Sequence, residues 1–114
     1  MVTISSPHVN VDMFKDFIFK IGLKEKSLNK LLDVFKSKVG SDVESYDLIK
    51  CAKISNTPTL ILHCDDDRDI PVECSKESIK HFKKGKLIIT QGLGHRRILR
   101  NKSIVKSVVN FLKN

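Results

Sequence analysis

The hydrophobic positions along the chain change their period several times, and each change marks an element. Val2-Thr3-Ile4-Ser5 is a short β-branched run closed by Ser6-Pro7, the pattern of the end of a buried strand. From residue 11 the period lengthens. Phe14, Phe17, Ile18 and Ile21 recur at i, i+3, i+4 and i+7, which predicts a helix over 11–21 with Gly22 as its stop. A second helix is expected from Ser27, a good N-cap residue. It carries Leu28, Leu31, Leu32, Phe35 and Val39 on one face and ends at Gly40. A shorter helical stretch over 43–52 carries Val43, Tyr46, Leu48 and Ile49.

Beyond Pro58 the apolar character becomes continuous. Thr59-Leu60-Ile61-Leu62-His63 predicts a strand buried on both faces. An acidic turn follows, then a helix over 72–83 with Ile79 and Phe82 inward. Residues 86–90 read as another buried strand. After a glycine loop, a last helix over 102–113 buries Ile104, Val105, Val108, Phe111 and Leu112. Strands alternating with amphipathic helices predict an α/β fold, a parallel sheet with right-handed crossovers. Three strands make a small sheet for this many helices, because a parallel sheet needs both faces covered and its edges protected. The pattern reads as part of a larger doubly wound domain, divided into a strand and loop (1–9), a helical segment (10–52) and a strand-helix-strand-helix segment (53–114).

Composition narrows the class without changing the fold. With 40% hydrophobic and 30% charged residues, the chain is foldable and not of the disordered type. No apolar run approaches the roughly 20 residues that span a bilayer, so no membrane partner is expected. The N-terminus lacks the basic and long apolar regions of a signal peptide. Cys51, Cys64 and Cys74 fall in no paired spacing, which suits reduced thiols, and a cytoplasmic location is expected. No C-x-x-C or Cys/His zinc spacing occurs, so neither a metal nor a cofactor is expected. The net charge of +8 comes from 21 basic and 13 acidic residues. The lysines are scattered over polar helix faces, and the one local cluster is His95-Arg96-Arg97 with Arg100 and Lys102. Without an aromatic stacking platform or a basic helix face, no nucleic-acid partner is expected.

Two loops leave the ends of strands, where open parallel sheets bind ligands. The first, His63 to Pro71, holds Asp65, Asp66, Asp67 and Asp69. Taken alone it admits three readings: hard oxygen ligands for Mg²⁺ or a phosphoryl acceptor, one carboxylate that orients a histidine, or a solvated turn whose Asp residues cap the next helix. The second loop is Gln91-Gly92-Leu93-Gly94-His95. Its glycines let the backbone turn sharply and present an imidazole, the side chain suited to proton transfer near neutral pH. One strand-helix-strand unit separates the loops, so their strands are expected to be neighbours, with an Asp and a His side by side. The order, Asp before His, is that of hydrolases whose serine nucleophile comes earlier still.

His63 to Pro71 resembles the H-x-x-x-D-x-x-[VI]-P motif of α/β-hydrolases, and Gly92-Leu93-Gly94-His95 resembles their G-x-G-H motif. Residues 96–100 and the helix from Val105 to Leu112 are similar to a recurring bacterial hydrolase tail. Thr3 to Pro7 resembles the strand after the nucleophile helix, and 11–52 resembles the helical lid or cap. The resemblance implies the C-terminal part of an α/β-hydrolase fold that cleaves small ester or acyl substrates, with Asp67 as triad acid and His95 as triad base. The family's G-x-S-x-G elbow is absent, since no serine lies between glycines at that spacing. The resemblance therefore implies a fragment inactive alone, whose partner is an N-terminal half carrying the nucleophile. The alternative is a non-catalytic remnant that forms a homo-oligomer through its open sheet. Ser5 and Ser6 lie in a loop that is not nucleophilic in the family, and Cys64 lies in the wrong loop. His63 is expected to be a packed structural residue, His8 and His81 surface residues, Asp65 and Asp66 solvated, and Asp69 a helix cap.

Overall fold

Apolar β-branched runs at both ends of the sequence meet in one sheet. In the computed structural model, which describes residues 1–114, strands β1 (Val2–Ile4), β2 (Thr59–Cys64) and β3 (Gly85–Thr90) are parallel and lie in the order β1-β2-β3. Ile4 pairs with Leu62, and Leu62 in turn with Ile88; at the far end His63 pairs with Ile89 and Cys64 with Thr90. All six residues of β2 are buried, because this strand has a neighbour on each side and cover on both faces. Leu60, Leu62 and Cys64 point into a core with Ile98 and Ile104, joined by Val2, Ile4, Ile88, Val108 and Phe111. Each fully buried aliphatic side chain contributes roughly 1.5–3 kcal/mol. The alternate residues Thr59, Ile61 and His63 face the other way, toward α4 (Val72–Ile79). After β3 come the short α5 (Gly94–Arg97), a 3₁₀ turn over Ile98–Arg100, and α6 (Lys102–Lys113). These elements, Met1–Pro7 with Ala52–Asn114, form one compact unit.

Several expectations are corrected here. β1 ends at Ile4, because Ser5 turns the chain with φ 47°. α4 stops at Ile79 and a turn carries Phe82 into the core, so the helix is shorter than 72–83. β3 is not a buried strand. It has one neighbour and leaves Ile89 41% exposed. On α6, Ile104, Val108 and Phe111 form the inward stripe, while Val105 and Leu112, about 100° further round, are exposed.

The second unit, His8–Cys51, is helical. Helix α1 (Val11–Lys20) is capped by Asn10, whose side chain accepts from the Met13 N–H at 3.0 Å. Helix α2 (Lys26–Val39) packs against it and closes at Gly40, whose N–H still reaches the Lys36 carbonyl and whose φ of 83° then turns the chain out of the helix. Ser27 is not the N-cap: the helix starts one residue earlier, and Glu25 at the cap position offers no side-chain bond. Ile18, Leu28 and Val43 are buried, and Phe35 meets Phe14 and Tyr46 edge-on at 5.3 and 5.8 Å. Phe17, Ile21 and Val39, placed on inward faces by periodicity, are exposed. The stretch read as one helix over 43–52 is a 3₁₀ turn, Val43–Tyr46, followed by α3 (Leu48–Ile54). Asp47 separates them and accepts from the Ile49 N–H at 2.9 Å. No helix is long and apolar enough to cross a membrane.

Candidate active site

The acid loop starts where β2 runs out of strand. The Asp67 N–H turns back to the Cys64 carbonyl at 3.2 Å. Oδ1 of Asp67 accepts from the N–H groups of Asp69 and Ile70, both at 2.9 Å, so the side chain holds its own turn in place. Its side chain is wholly covered. Burial alone would favour the neutral acid. The Ile70 N–H, His95, the Asp69 N–H and the Ser5 hydroxyl outweigh that and hold the carboxyl below its ordinary 3.8. Ser5 is buried without a well-aligned hydrogen bond of its own, yet close enough to Asp67 to favour the charged form.

The base loop starts at the end of β3. Gly92 and Gly94 take left-handed backbone angles, φ 71° and 60°, which residues with a Cβ adopt only at a cost. This turn sets His95 in the first turn of α5, with Nδ1 2.8 Å from Oδ2 of Asp67. An ionised carboxylate can only accept, so Nδ1 carries the proton and donates it. Nε2 is then left with its lone pair on a side chain that is 35% exposed. Chemically the arrangement is an oriented base: an imidazole in one tautomer, with a fixed anion behind it to stabilise the cation it becomes on accepting a proton.

His63 is fully buried, as the sequence reading expects. Nε2 lies 2.9 Å from the Ile70 carbonyl and must donate to it, so in the neutral ring Nδ1 accepts from the Ser75 hydroxyl at 2.6 Å. Nε2 also approaches Oδ2 of Asp67 at 3.4 Å. The ring thereby links β2, the acid loop and α4. His81, in the turn just past α4, is partly exposed and faces Glu77 at 3.3 Å.

Two expectations about the aspartates fail. Asp66 is exposed but not merely solvated: its Oδ1 accepts from the Gly94 N–H at 2.9 Å and from the Cys64 thiol at 2.7 Å. Asp69 does not cap α4, since Pro71 occupies the cap position and makes no side-chain bond. The carboxylate that serves the backbone there is Asp67. The thiol of Cys64 also accepts from the Leu93 N–H at 3.2 Å. Cys64 and Asp66 were not among the residues that sequence reasoning selected. The only available signal was their position, three and one residues before Asp67, at and just past the end of the central strand.

Two sets of side chains bring potential cation ligands within 4.8 Å of one another: Cys64 with Asp65 and Asp66, and Asp67 with Asp69 and His95. In the first set Cys64 and Asp66 already bond to each other and to the base loop, and in the second Asp67 and His95 bond to each other. A groove of about 640 Å³ beside Pro58, Leu60, Ile88 and Phe111 lies at the opposite ends of the strands from Asp67 and His95. In the basic cluster, Arg97 Nε donates to the Leu93 carbonyl at 3.2 Å, while Arg96 and Arg100 are exposed.

Residues 39–114 match the α/β-hydrolase family model described as TAP-like protein. No curated relative matches the chain. Its fold is similar to that of an α/β-hydrolase enzyme from the sediment metagenome of the Mar Chica lagoon, Morocco, with a TM-score of 0.62 and 13% identity, covering 98% of this chain and 48% of that one. It is also similar to BpoC of Mycobacterium tuberculosis, with a TM-score of 0.61 and 14% identity, covering 98% of this chain and 56% of that one. The chain thus spans about half the length of these structures, and its sheet is part of the fold they share.

Proposed function

The chain belongs to the α/β-hydrolases of the family described as TAP-like protein, and on that premise we propose that Asp67 and His95 are the acid and base of a Ser-His-Asp triad acting on small ester or acyl substrates. The observation that carries this reading is the 2.8 Å contact between the covered Asp67 carboxylate and Nδ1 of the half-exposed His95. In the reaction, Nε2 of His95 takes the proton of a serine hydroxyl as its oxygen attacks the acyl carbonyl, and Asp67 stabilises the imidazolium. The proton then passes to the leaving alkoxide, and water repeats the sequence to release the acid.

The serine comes from polypeptide outside these 114 residues, because no G-x-S-x-G occurs here. Ser5 does not replace it: its hydroxyl is buried and lies near the carboxylate of Asp67. The oxyanion donors belong with that elbow. Loss of a triad serine costs on the order of 10⁶-fold in turnover, so the chain alone is inactive. β1 has no strand on its outer side, and a partner carrying the nucleophile and the earlier strands would join there. The reduced thiols fit a cytoplasmic site of action. A serine-directed phosphonate is the test. The 114-residue chain alone should remain unlabelled, and stoichiometric labelling would overturn the reading.

The open edge of β1 and the exposed Val105, Val109 and Leu112 of α6 favour a second reading, a non-catalytic module that associates with itself. Sedimentation across concentration separates the two. A monomer at all concentrations counts against self-association.

A further inference from the structure

The strand ladder between β2 and β3 ends with the Asp65 N–H on the Thr90 carbonyl at 2.9 Å. Past that point the acid and base loops are joined only through side chains. Two of those bonds, with a third inside the acid segment, form a small closed set. The Leu93 N–H points at the Cys64 sulfur (3.2 Å), the Gly94 N–H at Oδ1 of Asp66 (2.9 Å), and the Cys64 thiol at that same oxygen (2.7 Å). Asp66 immediately precedes Asp67, and Gly94 immediately precedes His95. We propose that Cys64 and Asp66 are positioning residues, a brace between the two loops that sets the separation at which His95 meets Asp67.

Two physical features make this pair suited to the task. Cys64 is wholly buried, so water cannot replace the thiol as either donor or acceptor. Asp66 supplies a charged acceptor, and hydrogen bonds to ionised groups are the stronger kind. It meets the N–H of Gly94, whose left-handed φ of 60° starts the turn carrying His95. Without the brace, the only hydrogen bond between the two loops would be the contact of His95 with Asp67 that the base loop has to align, with Leu93 packed on the core beside it. The inference rests on the acid-base reading of Asp67 and His95 but concerns different atoms.

The test is the Nδ1 proton of His95, observed by NMR in the ¹⁵N-labelled 114-residue chain. In the wild type it should be a downfield signal in slow exchange with water. Asp66→Ala should speed that exchange about tenfold or more. Asp66→Asn, which keeps an oxygen acceptor, should restore most of the protection. Cys64→Ala should move exchange in the same direction as Asp66→Ala and provides the measurement if that variant does not fold. The melting temperature and the ring signals of buried His63 report on the fold independently. Wild-type exchange at His95 in both Asp66→Ala and Cys64→Ala would overturn the brace alone. A wild-type protein with no protected His95 signal, or one that Asp67→Asn leaves unchanged, would overturn the acid-base reading and the brace with it.

Discussion

Nε2 of His63 stands 3.4 Å from Oδ2 of Asp67, so the oxygen that meets His95 is also approached by a second, buried imidazole. The stability of the acid loop should therefore depend on His63. His63→Ala strips the Ser75 hydroxyl and the Ile70 carbonyl of their partner and opens a hole beside β2. A loss of about 2–4 kcal/mol is expected. Ser75→Ala should cost less, about 1–2 kcal/mol. Urea denaturation reads both, as a lower midpoint at unchanged m.

Acid should loosen the same region. Asp66 is held below its ordinary 3.8 first by the Cys64 thiol and then by the Gly94 N–H. In Asp67, burial opposes ionisation, but the Ile70 N–H, His95 and the Asp69 N–H prevail. Glu73 and Glu77 are lowered from 4.5, chiefly by its own backbone N–H for Glu73 and by Lys80 for Glu77. A carboxyl with a lower value in the folded state takes up protons first when unfolded. Its contribution is complete above the ordinary value and disappears as pH falls through the folded one. The melting temperature should hold steady near neutrality and drop below about pH 4. Asp67→Asn should melt lower than wild type at pH 7, with the difference narrowing toward pH 3, as followed by circular dichroism.

Two glycines should fail for different reasons when replaced. A Cβ on Gly85 would lie 2.5 Å from Cδ1 of Ile79 and 2.8 Å from Cβ of Phe82, so Gly85→Ala overpacks the core at about 1–3 kcal/mol. At Gly92 nothing lies within 4 Å, but φ is 71°, and Gly92→Ala costs about 1–2 kcal/mol from the backbone alone. Asn tolerates left-handed angles, so Gly92→Asn should recover part of the loss, while Gly85→Asn should not. Thermal melts of the four variants separate steric from conformational cost.

Helix α6 depends on its first turn. The Asn101 side chain accepts from the N–H groups of Ser103 and Ile104 at 3.0 and 3.2 Å, and Ile104 is the α6 residue buried in the core. Asn101→Ala should destabilise the protein by about 1 kcal/mol, and Asn101→Asp should retain most of the cap. Denaturant midpoints distinguish the two.

The strands and the Asp67–His95 pair were legible because local patterns determine them. Six consecutive buried positions from Thr59 to Cys64, closed by Pro58 and an acidic turn, leave few alternatives to a central strand. One crossover between two strand-end loops brings those loops together. Which face of a helix is covered depends on what packs there, and periodicity does not carry that. Val105 and Leu112 fit the apolar stripe of α6 and are nevertheless exposed. Ser27 is a good cap residue, but α2 begins before it. The link of Cys64 and Asp66 to Leu93 and Gly94 spans nearly thirty residues, beyond the reach of any local pattern.

The sheet gives the two members of the pair unequal footing. Asp67 follows β2, which is hydrogen-bonded on both sides, whereas His95 follows β3, which is bonded on one side only. Local opening begins where the fewest bonds hold the backbone. Amides of β3 and the glycine turn should exchange with solvent before those of β2. Fluctuations would therefore carry the imidazole away from a carboxylate that stays in place, and contact would be lost and regained by movement of the base.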